Sequence, residues 1–349
     1  MSKKFYWSLG EISNWPKITH FPPSALTYDD VLLIPQLSDL KSRSQVDIST
    51  KFGPYQLKIP LISAPMDTIT GETMARALAK LGAIACLPRD NFAESLRICR
   101  TFTKEKIPCV YAIGLKDATR KAQQLEKAGA KIILLDIAHG GMKQVIATAA
   151  EIKAKSKLLI MTGNIANYPQ ALAYKKAGID FARVGVGPGG LCTTRMVTGS
   201  GFPQLSAIFE TTSAKMTVIA DGGIKKSGDV CKALAAGATL VMIGSLFAGT
   251  DETPGEVFDG KKLARGQASE SYMNDNGLSV SQHRAAEGIS TQVLVKGSVV
   301  RLVNEIAGGL KSALTYSGAK NIKQFQRKAI FTLVSQATTV ENQAHIKFS

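Results

Sequence analysis

The sequence contains no CxxC pair, and its five cysteines (Cys86, Cys99, Cys109, Cys192 and Cys231) form an odd, dispersed set. Such spacing favours neither a disulfide framework nor a zinc knuckle, and a reducing cytoplasm is the expected setting. Long apolar runs are lacking too. The longest, TLVMIGSLFAG at 239–249, reaches about half of the roughly 20 residues of a membrane span. The N-terminal stretch MSKKFYWSLGEISNWPKITHFPPS has no apolar centre of the kind a secretory signal needs; its Trp, Tyr and Pro content predicts an irregular arm lying on a surface. Dense basic runs are missing, although 43 Lys and Arg against 27 Asp and Glu leave a formal net charge of +16. That balance favours polyanionic partners, nucleotides among them. Because the lysines are scattered and no aromatic motif interleaves with them, a solvated basic face is preferred to a nucleic-acid interface.

What the chain does have is a period. At 349 residues, 45% hydrophobic and 20% charged, it can bury a substantial globular core. Eight short apolar, β-branched runs follow one another: PLISAP (60–65), AIACLP (83–88), CVYAIG (109–114), KIILLDIA (131–138), LLIMTGN (158–164), FARVGVG (181–187), TVIADGG (217–223) and TLVMIGS (239–245). Most are about 24 residues apart, the length of one βα unit. Helix-patterned segments such as TRKAQQLEKAGA lie between them, and Ala-Gly endings (128–130, 177–179, 236–238) stand where helix C-caps belong. With no low-complexity linker, this pattern predicts a (β/α)8 TIM barrel. A doubly wound sheet is the alternative, but it rarely needs eight strands.

In such a barrel the reactive groups stand where strands end. Met66 and Asp67 follow the first run, Asp136 the fourth, Asn164 the fifth, Cys192 the sixth, Asp221-Gly222-Gly223 the seventh and Gly244-Ser245 the eighth. A single polar strand end is ordinarily just a turn; six in register are hard to attribute to turns. GPGGLCTTR (187–195) is then a loop whose glycines permit close approaches and which presents Cys192 at the barrel mouth. Cys86, Cys109 and Cys231, in apolar contexts, read as buried thiols. The glycine amides after the seventh and eighth strands suggest a phosphate cradle for a mononucleotide.

Several stretches resemble the IMP dehydrogenase / GMP reductase family: LTYDDVLLIPQ (26–36), SAPMDTIT, VGVGPGGLCTTR, GSGFPQLSAI, ADGGIKKSGDV, VMIGSLFAGTDETPGE and GGLKSALTYSGAK (308–320). Residues 88–108 leave no room for the CBS modules of the dehydrogenases, and GQASESYMNDNGLSVSQHRAAEG (266–288) looks like the flap of the reductases, without the Arg-Tyr dyad that activates water. The resemblance implies an arm (1–25), one barrel domain (26–335) with a flap (251–290), a tail (336–349), and a homotetramer. It implies an NADPH-dependent reductive deamination of GMP to IMP. In that reaction Cys192 attacks purine C2, and Thr194 and Glu287 carry a proton to the departing amine. By the same resemblance Asp221 holds the ribose, and Gly222, Gly223, Gly244 and Ser245 meet the phosphate. Met66 packs on the base, and Gln267, Ser269 and Arg284 face the guanine edge. Asp136, Gly163 and Asn164 line the nicotinamide side, and a potassium ion sits on carbonyls around Gly185, Gly187 and Cys192.

Three positions depart from the family pattern. Gly190 stands where a phosphate-touching serine is usual, Ala264 replaces a tyrosine, and LPRDN follows the second strand. A dehydrogenase without CBS modules, turning IMP into XMP with NAD, is the alternative function. A non-enzymatic nucleotide- or nucleic-acid-binding paralogue is a further one, against which the intact set of Cys192, Thr194 and Glu287 argues.

Overall fold

One short strand and one short antiparallel hairpin precede the first strand of the barrel. The structure, a computed structural model, describes residues 25–335 and 337–341. The N-terminal arm, apart from its last residue, therefore lies outside the described residues, as does most of the C-terminal tail. Strand β1 (Val31–Leu33) is followed by a hairpin, β2 (Thr50–Phe52) and β3 (Tyr55–Leu57). Phe52 and Leu57 are fully enclosed among the inward residues of the barrel, and the Phe52 ring lies 4.5 Å from that of Phe181. The hairpin therefore plugs the end of the barrel where the strands begin.

Each of the eight apolar runs forms a strand: β4 (Leu61–Ser63), β5 (Ile84–Leu87), β6 (Cys109–Ile113), β7 (Ile132–Asp136), β8 (Leu159–Ile165), β9 (Phe181–Val184), β10 (Thr217–Asp221) and β11 (Leu240–Ile243). They pair in parallel and in sequence order, and β11 closes onto β4. Gly129, Gly178 and Gly237, after the Ala of three helix ends, take φ values of 104°, 72° and 112°, which an L side chain resists. The domain is a (β/α)8 barrel, as the spacing predicts.

Strand parity sorts the side chains between two cores. Ile132 and Leu134 of β7 point into the barrel, whereas Ile133 and Leu135 pack outward against helices. Phe181 of β9, Ile219 of β10 and Met242 of β11 also face inward. Continuing the alternation by two residues turns Asp136, Arg183 and Asp221 inward at the C-terminal ends of β7, β9 and β10.

After the barrel closes, β12 (Lys261–Arg265) pairs antiparallel with β13 (Ser290–Leu294), and the flap runs between them. A short helix, Glu270–Asp275, opens the flap. Finally β14 (Phe331–Leu333) returns to pair antiparallel with β1, tying the last described strand to the first. The sequence reading anticipates the flap but none of these three antiparallel pairs, because three- to five-residue strands show too few alternations to register.

Candidate active site

A cavity of about 230 Å³ opens at the ends of the strands, and most of the residues expected there line it: Met66, Asp136, Asn164, Cys192, Thr194, Asp221, Gly222, Gly223, Gly244, Ser245, Gln267 and Glu287. Gly185 and Gly187 do so as well.

The loop between β9 and the short helix Thr194–Thr198 presents the thiol. A Cβ on Gly185 (φ 146°) would strike the Asp221 carbonyl oxygen, so the chain passes close to β10 only as glycine. Pro188 covers the turn after β10, where a Cβ on Gly222 would meet its Cγ at 2.9 Å. Cys192 is partly exposed, whereas Cys86, Cys99, Cys109 and Cys231 are buried. Burial pushes the thiols of Cys86, Cys99, Cys109 and Cys231 above their ordinary range, to about 12 for Cys231, so they remain protonated. Cys192 Sγ is 3.2 Å from Thr194 Oγ1.

Glu287 stands 95 residues further along the chain, yet backbone pairing brings it to the same loop. Thr193 N–H donates to the Glu287 carbonyl at 2.9 Å, and Ile289 N–H to that of Leu191 at 3.0 Å. On its other side Glu287 N–H donates to the Ala268 carbonyl at 3.0 Å. The Glu287–Ile289 segment is thus held between the cysteine loop and the start of the flap.

Opposite lies a charged cluster. Arg183 is buried and bonds Asp136 Oδ1 at 2.5 Å and Asp221 Oδ2 at 2.9 Å. Burial works against its charge, but the two carboxylates outweigh that cost and leave it more basic than usual. Asn164 Nδ2 donates to the same Asp221 oxygen at 2.8 Å and to the Gly185 carbonyl at 2.7 Å. Arg89 Nη1 donates to the Asp136 carbonyl at 2.8 Å and also lines the cavity. The second carboxylate oxygen of Asp136, Oδ2, is buried and accepts no hydrogen bond.

Some expected residues sit elsewhere. The buried Ser269 hydroxyl caps the flap helix, accepting from Tyr272 N–H at 3.3 Å, and does not line the cavity. Arg284 is exposed in a turn with Ser281, and Gly163 lies within β8 behind Asn164. Gly190 lines the cavity against Ser245: a Cβ there would lie 3.1 Å from the Ser245 hydroxyl, so the glycine makes room for it. Arg183 and Arg89 escaped the sequence reading. Arg183 sits in the apolar run FARV, and only the strand parity, once β9 is placed, turns it inward.

A (β/α)8 barrel with a thiol on its sixth strand-end loop, a flap glutamate paired by its backbone to that loop, and glycine-rich turns after the seventh and eighth strands defines the class. Residues 25–345 match the IMP dehydrogenase / GMP reductase domain, and the chain belongs to that family. It is 36% identical over 329 residues to GMP reductase 1 of Homo sapiens, covering 89% of this chain and 95% of that protein. It is 33% identical over 383 residues to inosine-5'-monophosphate dehydrogenase of Cryptosporidium parvum, covering 92% and 94%. The fold matches the crystal structure of a cysteine-to-alanine variant of Trypanosoma brucei GMP reductase in complex with guanosine 5'-monophosphate. The TM-score is 0.87 at 27% identity, over 94% of this chain and 99% of that one.

Proposed function

We propose that the chain is a GMP reductase, which converts GMP to IMP and ammonia with NADPH. The observation that carries this reading is the convergence of Cys192, Thr194 and Glu287 on one cavity, with Thr194 Oγ1 at 3.2 Å from the thiol. The GMP reductase relatives add to it.

Cys192 adds as thiolate to C2 of the purine, the carbon bearing the amine, and the ring nitrogen beside it takes a proton. Ammonia leaves only if a proton reaches it. Glu287 supplies that proton and the Thr194 hydroxyl passes it on, donating to the amine as it accepts from the carboxyl. A thioimidate on Cys192 remains. A reduced nicotinamide, when bound, supplies the hydride that reaches C2, after which the C–S bond breaks and IMP departs. Asp136 and Asn164 line the cavity and would hold the carboxamide of that group, whose NH2 would donate to Asp136 Oδ2, an oxygen that accepts no hydrogen bond within the chain and has Arg89 Nε at 3.7 Å.

Asp221, an acceptor-only carboxylate, takes the ribose hydroxyls, while Gly222, Gly223, Gly244 and Ser245 take the phosphate. Met66 and Gln267 meet the base; Gln267 is oriented by a 2.5 Å bond from its Nε2 to the Pro65 carbonyl. Potassium would take the carbonyls of Gly185, Gly187 and Cys192; that of Gly185 already accepts from Asn164, and the cation has no step in the chemistry. Among the described residues no helix is long and apolar enough to cross a membrane, and a cytoplasmic homotetramer completes the reading.

The test is the absorbance of NADPH with GMP, set beside NAD⁺ with IMP. Oxidation of NADPH that depends on GMP is expected. Faster formation of XMP from IMP and NAD⁺ would overturn the reading in favour of the dehydrogenase.

A further inference from the structure

The flap is fastened to the barrel by a pair of residues that do not line the cavity. Tyr272, on the flap helix Glu270–Asp275, is 4% exposed, and its hydroxyl donates to Asp90 Oδ1 on the loop after β5. The Arg265 guanidinium lies 5.5 Å from the Tyr272 ring and bonds Asp67 at 2.6 Å and Asp275 at 2.5 Å. A helix of six residues does not hold itself together in water. Its place depends on these anchors.

That helix continues directly from the segment on which Glu287 rests. Ser269 caps the helix and bridges to Gly288, and Ala268 accepts the Glu287 amide. The flap residues between 277 and 286 are largely exposed, and two backbone bonds, at 2.9 and 3.0 Å, join Ser281 and Arg284 to each other. The position of Glu287 is therefore set from below by the cysteine loop and from the side by the start of the flap helix. We propose that Tyr272 and Asp90 are positioning residues, whose hydrogen bond pins the flap helix to the second strand-end loop and so holds Glu287 over Cys192. The proposal rests on the reading of Glu287 as the proton donor, and it adds a dependence on pH.

Asp90 faces Asp67 from the first strand-end loop, Asp136 from the fourth, Arg89 on its own loop and Tyr272 from the flap. Burial, then Asp67, push its carboxyl up to about 6, and its Oδ2 is buried without a partner. The pinned state therefore favours protonated Asp90. Pinning is fully favoured below the ordinary carboxylate range and weakens as pH rises through about 6. In the barrel with its flap displaced, water would return to Asp90 and this preference would fade.

Hydrogen exchange of the flap amides (266–289), corrected for the intrinsic rate, tests the latch without any substrate. In the wild type, protection should fall about tenfold between pH 5 and 7.5. Asp90→Asn, neutral at every pH and still an acceptor, should remain protected throughout. Tyr272→Phe should lose protection at both pH values while the barrel amides keep theirs. With GMP and NADPH, Tyr272→Phe should lower kcat about tenfold and leave KM for GMP within about twofold, the split expected when an acid is displaced and binding is not. Unchanged flap protection and kcat in Tyr272→Phe would overturn the proposal, and so would loss of protection across the barrel as well. If the wild type fails to oxidise NADPH with GMP, the functional reading falls on its own, and the exchange data still decide whether the latch exists.

Discussion

A guanidinium in the middle of a barrel costs free energy unless its charge is matched, and Arg183 is matched twice, by Asp136 and Asp221. The arrangement fixes both carboxylates at the ends of their strands, where both residues line the cavity and Arg89 Nε lies 3.7 Å from Asp136 Oδ2. Replacing Arg183 with Met would strand two acids close together in a poorly hydrated site. We expect a loss of about 3–5 kcal/mol, read from the urea midpoint, with Arg183→Lys recovering part of it. A midpoint within 1 M of wild type on about the same slope would mean that water already screens the pair. Cys192 gives a contrasting prediction. In the proposed mechanism the thiol makes the covalent bond, whereas ribose and phosphate contacts supply most of the ground-state affinity. Cys192→Ala should therefore abolish turnover while GMP still binds; turnover within tenfold of wild type would remove Cys192 from the mechanism.

At the scale of elements, the proposed proton donor sits on a strip of flap held by backbone bonds between the cysteine loop and the start of the flap. Glu287→Gln keeps the side chain's size, and the backbone bonds that place residue 287 are untouched, but the amide cannot give up the proton. Deamination should slow by about 10² or more, while transfer of labelled hydride between cofactor and IMP, which needs no such proton, survives far better. Equal loss of both reactions would make Glu287 a structural residue. The elements also show how far the sequence reaches. Apolar runs at a βα spacing and Ala-Gly helix ends made eight strands legible, and the strand ends then gave Asp136, Asn164, Cys192 and Asp221 their places. Arg183 stayed hidden because an arginine between Ala182 and Val184 carries no local signal. Tyr272 and Asp90 stayed hidden because 182 residues separate them and each lies in an unremarkable polar stretch. Glu287 was reachable only through the family pattern: on its own, a glutamate in a glycine-rich flap reads as a solvated side chain, and no periodicity announces the bonds from Thr193 and to Ala268.

At the scale of the whole molecule, the pairing of β12 with β13 raises the question of what covers its outer face. Lys262 and Ala264 turn inward, and the Lys262 ammonium is buried against the carbonyls of Thr250, Asp251 and Thr253. The alternate side chains point away from the barrel. Leu263 and, across the pair, Leu294 are 44% and 67% exposed, and Phe258 and Val257 nearby are 78% and 56% exposed. Single exposed apolar residues are ordinary, but two on this strand pair and two in the turn that leads into it form a patch of the kind that protein surfaces cover by association. Tight association must also overcome repulsion between chains that each carry +16, which favours a contact built on an apolar strip rather than on the scattered lysines. If the proposed homotetramer forms, we expect it to bury this strand pair. Light scattering at micromolar protein should give four times the mass of one chain, and Phe258→Asp together with Leu294→Asp should shift it to a smaller species while circular dichroism of the barrel is unchanged. A wild-type monomer would refute the assembly. A tetramer indifferent to both substitutions would place the interface on another face and leave the hairpin patch bare.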